Sequence, residues 1–247
     1  MGESIMTFPK RKARKEKTKR TVNLDANKLI AHYKPKSPVS EIYRTIRTNI
    51  QFSSFDKDLK TLSVTSSVEG EGKSTTLANL AVTLAQQGNR VLMVDADLRR
   101  PKLHRIFDVL NSQGLTELLV KSLDPDALVQ KTFVEGISVL PTGQIPPNPA
   151  ELLGSRRMKH FLERVKAEYD YVLVDIPPVC VVTDGLLIAN QLDAVILLCS
   201  SGHVSIDEAK RGTELLKNAK ANVLGVVLNN VSSDQQQTYY YYQPNSY

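Results

Sequence analysis

The sequence predicts an α/β fold, a mostly parallel, doubly wound sheet flanked by helices, on three observations. Apolar strand-like runs alternate with helical stretches from Thr61 onward, the pattern of βαβ units with right-handed crossovers. Several runs, such as Val172-Leu173-Val174 and Val195-Ile196-Leu197-Leu198, are continuously apolar, which suits strands covered on both faces. The first run also leads through a glycine-bearing loop straight into a helix.

Along the chain, residues 1–36 are polar and basic and read as a flexible leader, residues 37–230 as the folded domain, and residues 231–247 as a flexible tail. Ser37-Pro38 opens a helix over 38–52, with serine as N-cap and proline at the first helical position. Strands are expected at 61–65, 90–95, 137–140, 171–175, 194–199 and 222–228. Between them the sequence predicts helices over 73–87, 115–120, 125–131, 156–169, 185–191 and 205–218. After Asn230 the chain turns to Ser, Asp and Gln, then to clustered tyrosines.

At 247 residues and 41% hydrophobic, the chain fits one globular domain with tails. Its net charge of +6 is unevenly spread. The first twenty residues carry eight basic groups against Glu3 and Glu16, leaving 24 basic and 24 acidic groups elsewhere. A neutral body argues against specific nucleic-acid binding. The basic leader suits contact with an anionic membrane or an acidic partner, or a solvated role. Cys180 and Cys199, the only cysteines, have no metal-ligand spacing and read as buried thiols of a reducing compartment. With no signal peptide and no apolar run near 18 residues, the expected location is cytoplasmic.

The loop Ser67-Val68-Glu69-Gly70-Glu71-Gly72-Lys73-Ser74-Thr75-Thr76 sits between a strand and a helix. That setting lets backbone N–H groups curl around phosphate oxygens, with Lys73 supplying charge and the Ser74 hydroxyl a ligand for Mg²⁺. A P-loop NTPase binding ATP and Mg²⁺ is therefore expected, with Glu69, Gly70, Glu71, Gly72, Lys73, Ser74 and Thr75 at the nucleotide. Ser67 departs from the usual Gly or Ala. Asp95, Asp97 and Asp175 end apolar strands, where an open parallel sheet binds its ligands, and should converge near the Mg²⁺ on Ser74.

The stretches Ser-Ser-Val-Glu-Gly-Glu-Gly-Lys-Ser-Thr, Val-Asp-Ala-Asp-Leu-Arg-Arg-Pro and Val-Asp-Ile-Pro-Pro together resemble those of the bacterial tyrosine kinases. These are P-loop autokinases of capsule and exopolysaccharide systems, and the chain resembles their split, Gram-positive form from about Lys34 to Tyr247. Glu41, Arg44 and Arg47 are similar to the family's oligomerisation motif, although their spacing alone favours a local ladder on one helix face over a reach across a subunit boundary. Leu140-Pro141-Thr142-Gly143, Pro146-Pro147-Asn148-Pro149 and Glu151-Leu152-Leu153 resemble the family's proline-rich loop and following helix. Glu69 stands where the family commonly has proline.

The resemblance implies the following roles. Asp95 accepts the tyrosine proton, Ser74, Asp97 and Asp175 hold Mg²⁺, and Asn229 contacts adenine; the sequence itself leaves Asp95 and Asp97 interchangeable. Arg99 or Arg100 reads equally as a phosphate contact or a surface residue. Tyr239, Tyr240, Tyr241, Tyr242 and Tyr247 match the autophosphorylation cluster, and four adjacent aromatics cannot share one core face. Each phosphate adds about −1.5 to −2 charges and is expected to disfavour docking of the tail into a neighbour's acidic site. The family also implies a homo-oligomeric ring, a membrane adaptor that activates the kinase and recruits it to the plasma membrane, and a cognate tyrosine phosphatase. Two other readings are a deviant-Walker switch ATPase, disfavoured by Val68 where such proteins carry an extra lysine, and a nucleotide-gated scaffold.

Overall fold

The computed structural model describes residues 28–53 and 58–231. Most of the leader, and the tail with Tyr239, Tyr240, Tyr241, Tyr242 and Tyr247, lie outside the described residues. Seven strands form one sheet: β1 (Thr61–Ser66), β2 (Val91–Asp95), β3 (Gln130–Lys131), β4 (Ile137–Leu140), β5 (Tyr171–Asp175), β6 (Ala194–Ser200) and β7 (Val223–Asn229). Their order is β3-β4-β2-β5-β1-β6-β7, and every pair is parallel except β3 with β4. The expected doubly wound sheet is present. It places the ends of β1, β2 and β5 side by side.

Period-two geometry sends alternate residues of each strand to opposite faces. Val91 and Met93 join one buried cluster while Leu92 and Val94 join the other. The first cluster is covered by α1 (Ile30–Tyr33), α2 (Pro38–Ser53), α3 (Lys73–Ala85) and α4 (Leu103–Ile106). The second is covered by α5 (Leu115–Lys121), α6 (Pro149–Leu153), α7 (Arg156–Glu168), α8 (Asp184–Ala189) and α9 (Ile206–Asn218). Ser155 and Ser205 cap α7 and α9 by accepting the N–H groups of Met158 and Glu208. Among the described residues, no helix is long and apolar enough to cross a membrane.

Two expectations fail. The helix expected over 125–131 is a single 3₁₀ turn, Pro125–Ala127, followed by β3. Asp124 caps the turn by accepting the Asp126 N–H. The Gln130 side chain then bonds the Leu110 backbone through both its oxygen and its nitrogen, holding the segment extended at the sheet edge. The folded body also starts by residue 28 rather than 37. Leu29 and Ala31 are fully buried, and α3 ties them down with three side-chain bonds. Asn79 takes the Ala31 N–H (2.9 Å) and gives to the Lys28 carbonyl (3.0 Å), while Gln86 gives to the Ala31 carbonyl (3.0 Å).

Asp193, before β6, joins three elements that no local pattern links. Its Oδ2 accepts the N–H groups of Lys60 (3.0 Å) and Thr61 (2.8 Å), and its Oδ1 accepts Lys166 Nζ of α7 (2.5 Å). Burial alone would raise its pKa, but Lys166 and the two N–H donors outweigh that and hold it below the usual carboxylate value. A depressed folded-state pKa gives stability above the unfolded value near 4, lost as pH falls through the folded one. Asp193→Asn should therefore destabilise the protein by roughly 1–3 kcal/mol at pH 7. Urea melts should show the gap from wild type narrowing below pH 4.

Candidate functional site

The loop between β1 and α3 turns on two glycines in the left-handed region, Gly70 at φ +83° and Gly72 at φ +100°. Its shape is fixed from the far side of the sheet. The Glu71 carboxylate, 1% exposed, accepts the Val68 N–H (2.9 Å) and the Ser200 N–H at the end of β6 (2.8 Å). Asn229, closing β7, donates its amide to the Glu71 carbonyl (2.8 Å). Ser66 Oγ donates to the Val68 carbonyl, and His203 bonds the Glu69 carbonyl.

Glu71 and Asn229, both expected at the nucleotide, brace the loop from behind through the Glu71 carboxylate and the Asn229 amide, and neither lines the cavity in front of it. That cavity, about 730 Å³, is walled by Glu69, Gly70, Gly72, Lys73, Ser74, Thr75 and Asp97, as expected, with Pro177 and Pro178 after β5. Six basic side chains and two acidic ones line it. Glu69, the residue in the usual proline position, pairs with Arg100 at the mouth. Arg99 is gripped in a forked pair by the buried Asp184 (2.8 and 3.2 Å).

The three aspartates do converge. Asp95 and Asp175 face each other in register at the ends of neighbouring parallel strands, both fully buried, and Asp97 follows two residues on. Lys73 Nζ sits between Asp97 Oδ2 (3.1 Å) and Asp175 Oδ1 (3.4 Å). Burial opposes its charge, but those two carboxylates more than compensate and raise its pKa, so it stays protonated. Asp97 Oδ1 accepts the Arg100 N–H (3.0 Å).

Asp95 is set apart from the other two. Its Oδ2 accepts the N–H groups of Lys102 and Leu103 (both 2.9 Å), and its Oδ1 is buried without a partner. Burial foremost, then the neighbouring Asp175 charge, pushes its pKa up to about 7. Ser74 Oγ and Asp175 Oδ2 are likewise buried oxygens without a hydrogen-bond partner. Buried polar atoms of this kind mark places where a ligand completes the bonding. A hydroxyl and carboxylates are also the hard oxygen donors that Mg²⁺ prefers. Among the described residues no three His, Cys, Asp or Glu side chains already enclose a metal position.

Of the expected oligomerisation residues, Glu41 and Arg44 form a local ion pair, and Arg44 also bonds the Pro35 carbonyl (2.7 Å). Arg47 instead reaches the Thr83 carbonyl of α3 (2.7 Å). Cys180 is half-buried and Cys199 buried, both as free thiols.

A family model for ParA, described as NUBPL iron-transfer P-loop NTPase, matches residues 59–243. Tyrosine-protein kinase YwqD of Bacillus subtilis (strain 168) is 46% identical over 81% of this chain and 85% of its own. Putative tyrosine-protein kinase CapB of Staphylococcus aureus is 38% identical over 87% of this chain and 94% of its own. The crystal structure of the chimerical protein CapA2B2 superposes with a TM-score of 0.81 at 40% identity, covering 84% of this chain and 91% of that one.

The brace sets up a controlled test. A Cβ on Gly72 would lie 2.6 Å from the Asn229 amide nitrogen, while one on Gly88 (φ +86°) meets nothing within 4 Å. Both alanine substitutions carry the same order of backbone strain, about 1 kcal/mol. Gly72→Ala alone should displace Asn229 and weaken nucleotide binding by about tenfold or more, whereas Gly88→Ala should leave it unchanged. Titration with a fluorescent nucleotide reads the difference.

Proposed function

The chain belongs to the bacterial tyrosine kinases of the ParA-type P-loop NTPases, and on that premise we propose that it phosphorylates its own C-terminal tyrosines from Mg-ATP. The observation that carries this reading is a protonated Lys73 lining one cavity beside Asp97, with Asp175 and Asp95 buried behind them.

In this reading the backbone of the loop and Lys73 hold the β- and γ-phosphates, and Lys73 swings from the aspartates to the phosphoryl oxygens. Ser74, Asp97 and Asp175 would hold Mg²⁺, with phosphate oxygens and water filling the remaining positions. The metal would offset charge developing on the transferred group. A tyrosine Oη from a neighbouring subunit attacks the γ-phosphorus in line; the bond from that phosphorus to the β–γ bridging oxygen breaks, and ADP leaves. The phenol proton passes to Asp95. Asp97 reaches the cavity wall and Asp95 lies behind it, so a bridging water carries the proton to Asp95 Oδ1. A carboxylate titrating near neutrality suits that task.

The family reading extends to the assembly. In this reading Glu41, exposed on α2, and Arg44 exchange their local pairing for contacts with a second subunit of a ring. A membrane adaptor would recruit and activate the kinase at the inner face of the plasma membrane, and a phosphatase would reset the tail. The role follows: control of capsule or exopolysaccharide synthesis and export. The switch-ATPase reading finds no support at the loop, where Val68 occupies the extra lysine's place.

Incubation of the full chain with Mg-ATP and an adaptor segment, followed by mass spectrometry, should place phosphate among Tyr239, Tyr240, Tyr241, Tyr242 and Tyr247. Lys73→Met should abolish it. ATP hydrolysis with an unmodified tail would instead select the switch ATPase. Asp95→Asn should slow transfer on the order of 10²–10⁴-fold while leaving nucleotide affinity within a few-fold; full activity in that variant would remove Asp95 from the proton path.

A further inference from the structure

The cavity in front of the phosphate loop has two side walls. One follows β2 and carries Asp97 and Arg99; the other follows β5 and carries Pro177, Pro178 and Val181. The β5 wall is pinned to the strand that feeds the loop. Thr65 Oγ1 donates to the Pro177 carbonyl (3.2 Å), and the N–H groups of Val179 and Cys180 donate to the Ser66 and Ser67 carbonyls (2.9 and 3.2 Å). This wall runs into α8, whose first residue is Asp184. Gly185 lets the helix close up against it, since a Cβ there would lie 2.6 Å from the Pro177 carbonyl oxygen.

Arg99 reaches over from the β2 wall. Its Nε donates to Asp184 Oδ2 (2.8 Å) and its Nη2 to Asp184 Oδ1 (3.2 Å). The Asp184 side chain is 1% exposed and that of Arg99 46%, so one edge of the guanidinium is anchored inside while the rest lines the cavity. Nη1 makes no hydrogen bond among the described residues. A guanidinium is a rigid plane of five N–H donors, and a two-bond fork leaves three for a ligand. Arg100 differs: its side chain is 68% exposed and pairs with Glu69 at the mouth. We propose that Arg99 donates to the terminal phosphoryl oxygens of the bound nucleotide and that Asp184 is the positioning residue that aims it. This rests on the Mg-ATP reading of the cavity and selects one of the two arginines as the phosphate contact. The loop's own N–H groups serve the inner phosphates, which leaves the outermost one to the donors on the walls. There Arg99 is a fixed positive group beside Lys73, in place before charge shifts during transfer.

The test is the affinity of the full chain, with Mg²⁺, for ADP and for the non-hydrolysable β,γ-imido analogue of ATP, read by titration calorimetry with no phosphoryl transfer involved. The ratio of the two Kd values is taken within one protein, so an unfolded fraction does not alter it. The wild type should prefer the imido analogue. The double variant Arg99→Gln, Asp184→Asn replaces the ion pair by a neutral one and strands no buried charge. Its preference should fall about tenfold, the worth of one hydrogen bond from a charged donor, with ADP affinity held within about threefold. Asp184→Asn alone keeps the charge of Arg99 but loosens the fork, and should lose at least about threefold of the preference. Equal loss for both nucleotides in the double variant, or no change in the ratio, would overturn the contact and leave the kinase reading to stand or fall on tail phosphorylation. Loss in the double variant with none in Asp184→Asn would overturn Asp184 as the positioning residue and keep the contact. A wild type that shows no preference would overturn the contact. One that binds neither nucleotide would overturn the Mg-ATP reading and the contact with it.

Discussion

Everything at this site depends on holding three carboxylates together almost wholly beneath the surface. Asp95, Asp97 and Asp175 are between 0% and 4% exposed, and parallel pairing of β2 with β5 sets two of them directly side by side. Burying ionised carboxylates together is costly unless charge and donors answer them. One lysine and three backbone N–H groups do so here: Lys73 between Asp97 and Asp175, Arg100 N–H on Asp97, and the N–H groups of Lys102 and Leu103 on Asp95. The supply falls short, which is why Asp95 keeps its proton to about pH 7. That shortfall gives the site a group able to exchange a proton near neutrality and leaves oxygens unpartnered beside Ser74.

Much of this architecture was legible in the sequence because the signals were local. Continuous apolar runs marked β1, β2, β5 and β6 to within a residue, and the Gly-Lys-Ser-Thr step fixed where α3 begins. Aspartates at the ends of those runs had to gather wherever a parallel sheet aligned them. What stayed hidden depends on partners distant in sequence. Leu29 and Ala31 looked like part of a solvated leader because the side chains that tie them, Asn79 and Gln86, lie about fifty residues on. Asp193 gave no signal of joining β1 to α7.

The brace behind the loop shows the same limit. Glu71 sits inside the phosphate-binding motif and Asn229 ends a strand beside it, and nothing local marks their side chains as supports of the loop. The positive φ at Gly70 and Gly72 turns the Glu71 side chain behind the loop, where the Ser200 N–H receives it. The segment over 125–131 fails for a different reason. Its composition allows a helix, but a capped proline turn and the two hydrogen bonds between the Gln130 side chain and the Leu110 backbone leave too few residues for more than one turn.

Asn229 has a further consequence because of where it stands in the chain. It is the last residue of the final strand and also the clasp on the backbone of the phosphate loop. Strand end and phosphate loop thus share one side chain, and anything that shifts the end of β7 is passed directly to the backbone that curves around the cavity.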